Sequence, residues 1–255
     1  MRVLIVLPLL FALPALSQEA SPDNTPPPLT SPQPEPRPDP EERLDDLLPD
    51  LPEEQPAETP GRWEELAETD TAFAMCVAEL EGTGATFTIG EEAITAEDAD
   101  CGIARPVTMS AVAPDVAIVP EVTLRCEAAL ALATWTGTHV APAARLLEGR
   151  GRLSAIETGG SYTCRRRNNL PTGRLSEHSF GNGVDVMAFR FEEGEAIRVE
   201  PRLDEGSIEE AFQRAARATS CLHFTTVIGP GTDAAHADHI HLDIAARRGG
   251  FRLCQ

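Results

Sequence analysis

The sequence lacks several features that mark common classes of protein. It contains no lysine, no Cys-x-x-Cys pair and no apolar run as long as the ~20 residues of a membrane-spanning helix. The missing cysteine pair argues against a thiolate zinc site and against a thioredoxin-type redox site. Cations are also scarce: 41 acidic residues oppose 21 basic ones, and the net charge is -20. Nucleic acid is therefore not expected as a partner, because its phosphates would be repelled.

The first seventeen residues are typical of a secretory signal peptide. Arg2 precedes an apolar run from Val3 to Leu16, and the small residues Ala15 and Ser17 provide a cleavage site. The residue directly after that site is Gln18 and not cysteine, so lipid attachment there is not expected. We predict a signal peptide at 1–17 and a periplasmic or secreted protein. The alternative is an uncleaved signal segment, which would be the only membrane anchor.

The next segment, 18–60, has a composition that opposes folding. It holds thirteen of the 22 prolines, and twelve acidic residues against two arginines. Such a segment cannot bury enough apolar surface to offset the entropy of ordering it. We predict a disordered Pro- and acid-rich linker at 18–60 and a folded domain at 61–255.

Six cysteines agree with export, because structural disulfides persist in oxidising compartments. An even number at wide spacing predicts three disulfides. Six cysteines allow fifteen pairings, and the sequence leaves the choice open. The residues are Cys76, Cys101, Cys126, Cys164, Cys221 and Cys254.

Hydrophobic periodicity and turn residues predict four helices and seven short strands in the folded domain. The helices are expected at 64–80, where Asp70 or Thr71 would be the cap, at 120–135, at 142–147, and at 207–221 with a Ser207–Glu210 capping box. The strands are expected at 85–94, 102–112, 152–156 before a Gly159-Gly160 turn, 184–191, 197–199, 224–228 and 239–244. This order predicts an α+β fold, in which a small antiparallel sheet carries a metal site and helices pack on it.

Four of the six histidines lie in two short stretches, 176–185 and 236–243, beside four carboxylates. A catalytic zinc ion takes three ligands from His, Asp or Glu and leaves a fourth position open. His178 and Asp185 are seven residues apart, and the Gly-rich bend between them can bring both side chains to one point. His239 and His241 alternate by two, so a strand would place both on one face. Taking His241 as the third ligand completes a His-Asp-His set and leaves Asp238 and His239 free for chemistry.

The remaining residues of these stretches have less defined expectations. Asp243 would face the same side as His241 and orient it as an outer carboxylate. His236 either lines the site or belongs to a turn. Glu177 is expected to be solvated, and His139 and His223 are expected to lie outside the site.

Three other metal motifs fit the sequence less well. An amidohydrolase would need a barrel after its His-x-His pair, but only fourteen residues follow His241. A metallo-β-lactamase motif would need a histidine at Ile244. A facial iron triad beginning at His236 would leave the His178 cluster unexplained.

Three segments of the chain carry a resemblance to a known family. They are Gly160-Ser161-Tyr162-Thr163-Cys164-Arg165, residues 175–182 and His236-x-Asp238-His239-x-His241-Leu242-Asp243. Because of these segments, the stretch from about residue 76 to residue 254 resembles the bacterial extensin-like C-terminal family. A two-part motif, Ser176-x-His178-x-x-Gly181-x-x-x-Asp185 with Asp238-His239-x-His241, also looks like that of the zinc peptidase group of lysostaphin, D-Ala-D-Ala carboxypeptidases and the hedgehog signalling domain. One departure is Gly183, where the peptidase pattern usually has alanine.

The resemblance implies a role for each matching residue. His178, Asp185 and His241 match the ligands of one Zn²⁺ ion, and Asp238 matches the general base that accepts a proton from the attacking water. His239 matches the histidine that steadies the tetrahedral oxyanion. Arg165 is the best match for an arginine that holds the substrate, with Arg166 and Arg167 as competitors. The substrate cleft would also be lined by Tyr162, Ser176 and His236.

The function that follows is an exported zinc metallopeptidase acting on peptidoglycan stem peptides. The reaction would be amide hydrolysis of the DD-carboxypeptidase or DD-endopeptidase type. The alternatives are a zinc-stabilised cell-wall binding module without turnover and a structural envelope protein.

Overall fold

A nine-stranded sheet forms the centre of residues 61–255, the part of the chain that the computed structural model describes. The predicted signal peptide and linker lie outside the described residues. The strands are β1 (Thr86–Ile89), β2 (Ile94–Thr95), β3 (Gly102–Ile103), β4 (Val107–Ala113), β5 (Val116–Leu124), β6 (Leu153–Gly160), β7 (Gly183–Phe191), β8 (Ile197–Arg198), β9 (Thr226–Ile228), β10 (Ile240–Asp243) and β11 (Leu253–Cys254). The large sheet has the order β1-β4-β5-β6-β7-β10-β9-β11, with β8 beside β7, while β2 and β3 form a separate ribbon.

The helices are few and mostly short. They are α1 (Arg62–Glu65), α2 (Asp70–Gly82), α3 (Cys126–Trp135), α4 (Ala141–Ala144) and α5 (Ile208–Ser220), and a π-helical turn, Thr136–Val140, joins α3 to α4. The predicted α+β class is therefore confirmed. The sheet is larger than the small sheet that was predicted. It is also mixed and not antiparallel throughout, because the β5–β6 and β9–β11 pairs are parallel. No helix within residues 61–255 combines the length and apolar character that crossing a bilayer requires.

The start of the predicted helix at 120–135 is wrong. Residues up to Leu124 continue strand β5, and helix α3 begins only at Cys126. Pro120, the first residue of the predicted helix, lies within strand β5, where Val116, Ile118 and Val122 are β-branched and buried against the core. Their packing outweighs the helix-start signal of the proline.

Three local details also differ from the sequence-based expectations. The predicted helix at 64–80 is divided into α1 and α2, and Thr69 caps α2 by accepting a hydrogen bond from the amide of Ala72. The predicted Gly159-Gly160 turn is the end of strand β6. At α5, Ser207 accepts from the amide of Glu210 as predicted, but the Glu210 side chain accepts from the amides of Asp204 and Gly206 and not from that of Ser207, so the predicted capping box is only half formed.

Alternation from Val184 to Val186 in β7 and from Ile240 to Leu242 in β10 separates the core from the candidate site. Val184 and Val186 of β7 and Leu242 of β10 are at most 1% exposed and belong to the hydrophobic core. Because successive side chains of a strand point to opposite faces, Asp185 and His241 lie on the other face. Asp185 and His241 are direct partners in the β7–β10 ladder.

The core on the buried face is built around an aromatic group. Trp135 of α3 makes edge contacts with Phe189 and Phe224, at ring-centroid distances of 6.3 and 6.5 Å. Its indole nitrogen donates to the carbonyl of Ala216, 3.1 Å away, and so ties α3 to α5. These contacts hold the helices on the sheet and leave the opposite face of β7 and β10 for polar side chains.

Three disulfides confirm the prediction from the cysteine count. They join Cys76 to Cys126, Cys101 to Cys164, and Cys221 to Cys254. Each closes a loop of 33 to 63 residues. The entropy removed from the unfolded chain corresponds to about 4 kcal/mol of stability for a loop of this size.

Candidate metal centre

Three elements bring His178, Asp185 and His241 together. His178 lies in a 3-10 turn, Glu177–Phe180, immediately before β7. Gly181 ends that turn with a φ of 68°, which glycine adopts without strain, and the chain then enters β7 with Asp185 as its third residue. A Cβ atom at Gly183 would lie 3.3 Å from Cδ2 of His178, so the small residue here borders the histidine ring.

The donor atoms of these three side chains converge on one point. Nε2 of His178 lies 3.1 Å from Nδ1 of His241 and 3.2 Å from Oδ1 of Asp185. Nδ1 of His241 lies 2.9 Å from the same carboxylate oxygen. Two ligands of a tetrahedral zinc ion are about 3.3 Å apart when each metal–ligand bond is about 2.05 Å. The spacing is therefore close to that of a zinc ligand set.

Each histidine of this set has its second ring nitrogen occupied. Nδ1 of His178 donates to the carbonyl of Ser161 at 2.6 Å, and Nε2 of His241 donates to Oδ2 of Asp243 at 3.0 Å. Carbonyl and carboxylate oxygens only accept, so the protons lie on these outer nitrogens. The inner nitrogens can then offer lone pairs to a cation, which is the usual arrangement around metal-binding histidines. Asp243 thus makes the contact that the sequence predicted for it.

The electrostatics of the cluster favour a bound cation. Burial alone would raise the pKa of Asp185, but hydrogen bonds from the inner nitrogens of His178 and His241, which can form only when those nitrogens carry a proton in place of a metal ion, hold that pKa well below its usual value. Burial alone would lower the pKa of His241, but hydrogen bonds to Asp185 and Asp243 raise it to about 9. Two buried carboxylates around one point therefore attract positive charge, which a proton or a metal ion can supply.

The donor set fits a divalent cation, and two imidazoles with one carboxylate match zinc. A second group of potential ligands, Asp98 with Cys101 and Cys164, does not fit, because its cysteines are joined in a disulfide. The metal-ligand roles of His178, Asp185 and His241 remain predictions.

His239 and Asp238 form a pair beside the three donors. Nε2 of His239 lies 3.7 Å from Oδ1 of Asp185, and Nδ1 of His239 bonds to Oδ1 of Asp238 at 2.9 Å. The Asp238 side chain is 74% exposed, whereas that of His239 is 16% exposed. His239 therefore faces the centre directly, and Asp238 reaches it through His239.

A second Asp–His pair lines the same opening. His236 ends the 3-10 turn Ala234–His236, and its Nδ1 bonds to Oδ1 of Asp233 at 2.7 Å. Its ring lies 5.3 Å from that of His239 and 6.0 Å from that of His241, between ring centroids. Both alternatives left open by the sequence thus describe His236, a turn residue whose side chain borders the centre. Asp233 was not singled out from the sequence.

The three consecutive arginines diverge. Arg165 and Arg166 line a cleft with Glu97 and Asp98, next to the Cys101–Cys164 disulfide. The guanidinium of Arg167 lies 3.8 Å from Oε1 of Glu177. Burial lowers the pKa of Arg167, and the charges of Glu177 and Asp243 offset only part of that decrease. Arg167 therefore lies beside Glu177, the residue before His178, and the choice of Arg165 as the substrate-binding arginine stays a prediction.

Two further predicted cleft residues have different environments. The hydroxyl of Ser176 accepts from the amide of His178 at 3.4 Å and caps the 3-10 turn, so Ser176 shapes the loop that presents the histidine. The hydroxyl of Tyr162 is buried and has no hydrogen-bond partner among residues 61–255. Burial raises the pKa of this phenol.

The expectation that Glu177 is solvated is wrong. Its side chain is 3% exposed, and its Oε2 accepts from Nδ2 of Asn182 at 2.9 Å. The side-chain oxygen of Asn182 in turn accepts from Arg125 at 3.0 Å. Because Glu177 is adjacent to His178, we expected it to face solvent, but the 3-10 turn directs the side chains of both Glu177 and His178 inward. No local pattern in the sequence indicated Arg125.

Comparison with known proteins identifies the family. A family model described as "Extensin-like protein C-terminus" matches residues 74–255. The chain belongs to this family. No curated protein and no solved structure gave a significant match. The match contains His178, Asp185, His241 and the Asp238–His239 pair.

Proposed function

We propose that this member of the extensin-like family is an exported zinc peptidase that hydrolyses an amide bond in peptidoglycan stem peptides. The reaction would be of the DD-carboxypeptidase or DD-endopeptidase type. The substrate class comes from the resemblance of the motifs to the lysostaphin and D-Ala-D-Ala carboxypeptidase group. The three disulfides support an oxidising, extracytoplasmic location.

One observation carries the proposal. Three donor atoms, from His178, Asp185 and His241, lie 2.9–3.2 Å apart, and both histidines are oriented by outer acceptors. Histidines that cluster at a surface by chance would not be expected to have their outer ring nitrogens held by acceptors in this way. The arrangement supports one zinc ion held by three protein ligands, with a fourth position open as in catalytic zinc sites.

A zinc ion bound there would supply Lewis-acid chemistry, polarising a carbonyl and making water a stronger nucleophile at neutral pH. His239 would meet the substrate, because its Nε2 faces the ligand set. The hydrogen bond to Asp238 fixes the proton on Nδ1 and leaves Nε2 able to accept a proton or, once protonated, to donate one. In this assignment Asp238 is a positioning residue, whereas the sequence motif alone made it the base.

The surroundings of the centre suit a peptide with an anionic group. Arg167 is 44% exposed beside Glu177, so its guanidinium can still reach a carboxylate. The hydroxyl of Tyr162, which has no hydrogen-bond partner within residues 61–255, and the Nε2 of His236, whose Nδ1 bonds to Asp233, would serve as further hydrogen-bonding groups of the cleft.

Digestion of purified sacculi tests the proposal. The full chain should contain about one zinc ion, and the masses of released fragments should identify the amide bond that is cut. His239→Ala should retain zinc and lose cleavage. Bound zinc together with intact sacculi and intact pentapeptide would contradict the enzymatic proposal.

That outcome would favour the second candidate, a zinc-stabilised module that binds the cell wall without turnover. The exposure of Asp238 is the observation in its favour, because a general base usually lies inside the cleft. Binding to sacculi without release of fragments would distinguish the module from an enzyme.

A further inference from the structure

A buried arginine lies behind the candidate metal centre. Arg125 is 8% exposed, and its guanidinium contacts three polar side chains, with Nε and Nη2 both close to Glu68. Nε donates to Glu68 at 3.1 Å, Nη1 to the side-chain oxygen of Asn182 at 3.0 Å, and Nη2 to Glu127 at 3.2 Å. The side chain of Glu68 is 4% exposed and that of Glu127 is 56% exposed. Glu68 is therefore the buried counter-ion of this arginine.

Asn182 connects that arginine to both halves of the metal centre. Its side-chain nitrogen donates to Glu177, the residue before His178, at 2.9 Å. Its backbone amide donates to the carbonyl of Glu177 at 3.1 Å, and its carbonyl accepts from the amide of Ile244 at 3.3 Å. Ile244 directly follows strand β10, which carries His241. A shift of Asn182 would therefore move the His178 turn relative to β10.

A second contact reaches the same turn from helix α1. Arg62 lies 3.7 Å from Oε1 of Glu177, and its guanidinium lies over the ring of Phe180 at 5.1 Å. The helix is anchored by Trp63, whose indole nitrogen donates to the carbonyl of Ala99 at 2.9 Å. Any side chain at Gly102 would collide with that indole, at 2.7 Å. The segment 61–68 is thus docked against the domain.

This segment lies before the start of the family match at residue 74. It nevertheless supplies Glu68 and Arg62, two of the charges that surround the His178 turn. Removing the partner of a buried ion is costly, because the remaining charge stays desolvated and unpaired. Arg125 would then move toward solvent or toward Glu127, and its bond to Asn182 would weaken.

We propose that residues 62–68 form part of the scaffold of the metal centre, with Glu68 as a positioning residue for His178 through Arg125, Asn182 and Glu177. The inference rests on the metal binding of the proposed function and does not require hydrolysis. It predicts that the zinc affinity of the folded protein depends on a residue outside the family domain.

The test compares Glu68→Gln with Glu127→Gln in the full chain with its disulfides intact. Both carboxylates bond to the same guanidinium, but only Glu68 is buried, so Glu127→Gln is the matched control. Zinc affinity would be measured by competition with a chromophoric chelator, and ligand geometry by the visible spectrum of the Co²⁺-loaded protein. Residues that bond directly to a metal ligand typically change affinity 10- to 100-fold when they are replaced. Glu68 acts on His178 only through Arg125, Asn182 and Glu177, so we expect a smaller loss, about 3- to 10-fold for Glu68→Gln, and less than about 2-fold for Glu127→Gln.

Arg62→Ala provides a second variant in case Glu68→Gln does not fold. Arg62 is 48% exposed, so its loss should spare folding and weaken zinc binding by about 3-fold, below the range for direct outer partners. Unchanged zinc affinity and an unchanged Co²⁺ spectrum in folded Glu68→Gln, or in Arg62→Ala if Glu68→Gln does not fold, would overturn the inference and leave the proposed function standing. A wild-type chain that binds no zinc would overturn both.

Discussion

Two pairs of histidine rings in this protein are almost equally close. The ring centroids of His178 and His241 are 5.0 Å apart, and those of His139 and His223 are 5.1 Å apart. The first pair has the carboxylate of Asp185 at hydrogen-bond distance from both rings, and each ring has an outer acceptor. In the second pair, Nε2 of His223 is buried without a hydrogen-bond partner among residues 61–255.

The electrostatic response of the two pairs is opposite. At the first pair, carboxylates overcome the effect of burial and raise the pKa of His241 to about 9. At the second, burial lowers the pKa of His223, and the charges of His139 and Arg252 lower it further. Proximity of imidazoles alone therefore does not make a cation site. In the proposed cation site, the central carboxylate and the outer acceptors make the difference, and each of these can be removed separately.

Removal of a ligand should give the largest effect. His178→Ala is expected to weaken zinc binding by more than about 100-fold, since loss of an outer partner alone costs 10- to 100-fold. Cleavage of sacculi should fall to background. Isothermal titration with Zn²⁺ measures the affinity, and His139→Ala is the matched control from the other pair. Equal loss in both variants would contradict the assignment of the site.

The next largest effect should come from His239, because the His139–His223 pair has no third histidine beside it in a similar position. His239→Ala should reduce kcat/KM for a peptidoglycan peptide by about 100- to 10,000-fold, the usual contribution of proton transfer by a positioned group. Asp238→Ala should cost less, about 10- to 100-fold, because Asp238 acts through His239. Zinc content should stay near one per chain in both variants. A larger loss for Asp238→Ala would return the role of base to Asp238.

A smaller effect is expected from the outer carboxylate. Asp243→Asn keeps the shape of the side chain and removes the charge that orients His241 through its Nε2. Zinc affinity should fall about 10- to 100-fold, measured by chelator competition. Asp233→Asn, which removes the corresponding charge from His236, should leave zinc affinity within about 2-fold. Similar losses in the two variants would show that general acidity, and not orientation of a ligand, attracts the metal.

The grouping of residues in the candidate metal centre was predictable, because its members lie in two short stretches of sequence; that they bind a metal stays a prediction. His178 and Asp185 flank one Gly-rich bend, and His241 follows by strand alternation next to Asp243. Most strands and the last α-helix, α5, were also predictable, since their apolar periodicity and the Ser207 cap are short-range signals, whereas β5 and β11 were not predicted. The pairing that places His241 opposite Asp185 follows from these patterns only once β7 and β10 are known to be neighbours.

The supporting shell was not predictable, because it is assembled from distant parts of the chain. The network joins Arg125 to Glu68 and to Asn182, and each of these two partners is 57 residues from Arg125 in the sequence. Nothing in the sequence near Arg125 indicates that it is buried. Similarly, Pro120 resembles a helix start, and only the packing of Val116, Ile118 and Val122 reveals a strand.

The smallest predicted effect concerns the pH dependence of stability at the second histidine pair. The pKa of His223 in the folded protein lies below its ordinary value of 6.5, so the unfolded chain takes up a proton first as the pH falls. Stability that is present at pH 7.5 should therefore decrease toward pH 5.5, as the unfolded state binds more protons than the folded state. Denaturant unfolding at both values should show a smaller decrease for His223→Gln than for wild type. Leu222→Gln, at an exposed neighbouring position, should keep the wild-type decrease. An equal decrease in wild type and His223→Gln would mean that His223 does not sense pH, and the contrast between the two pairs would then rest on geometry alone.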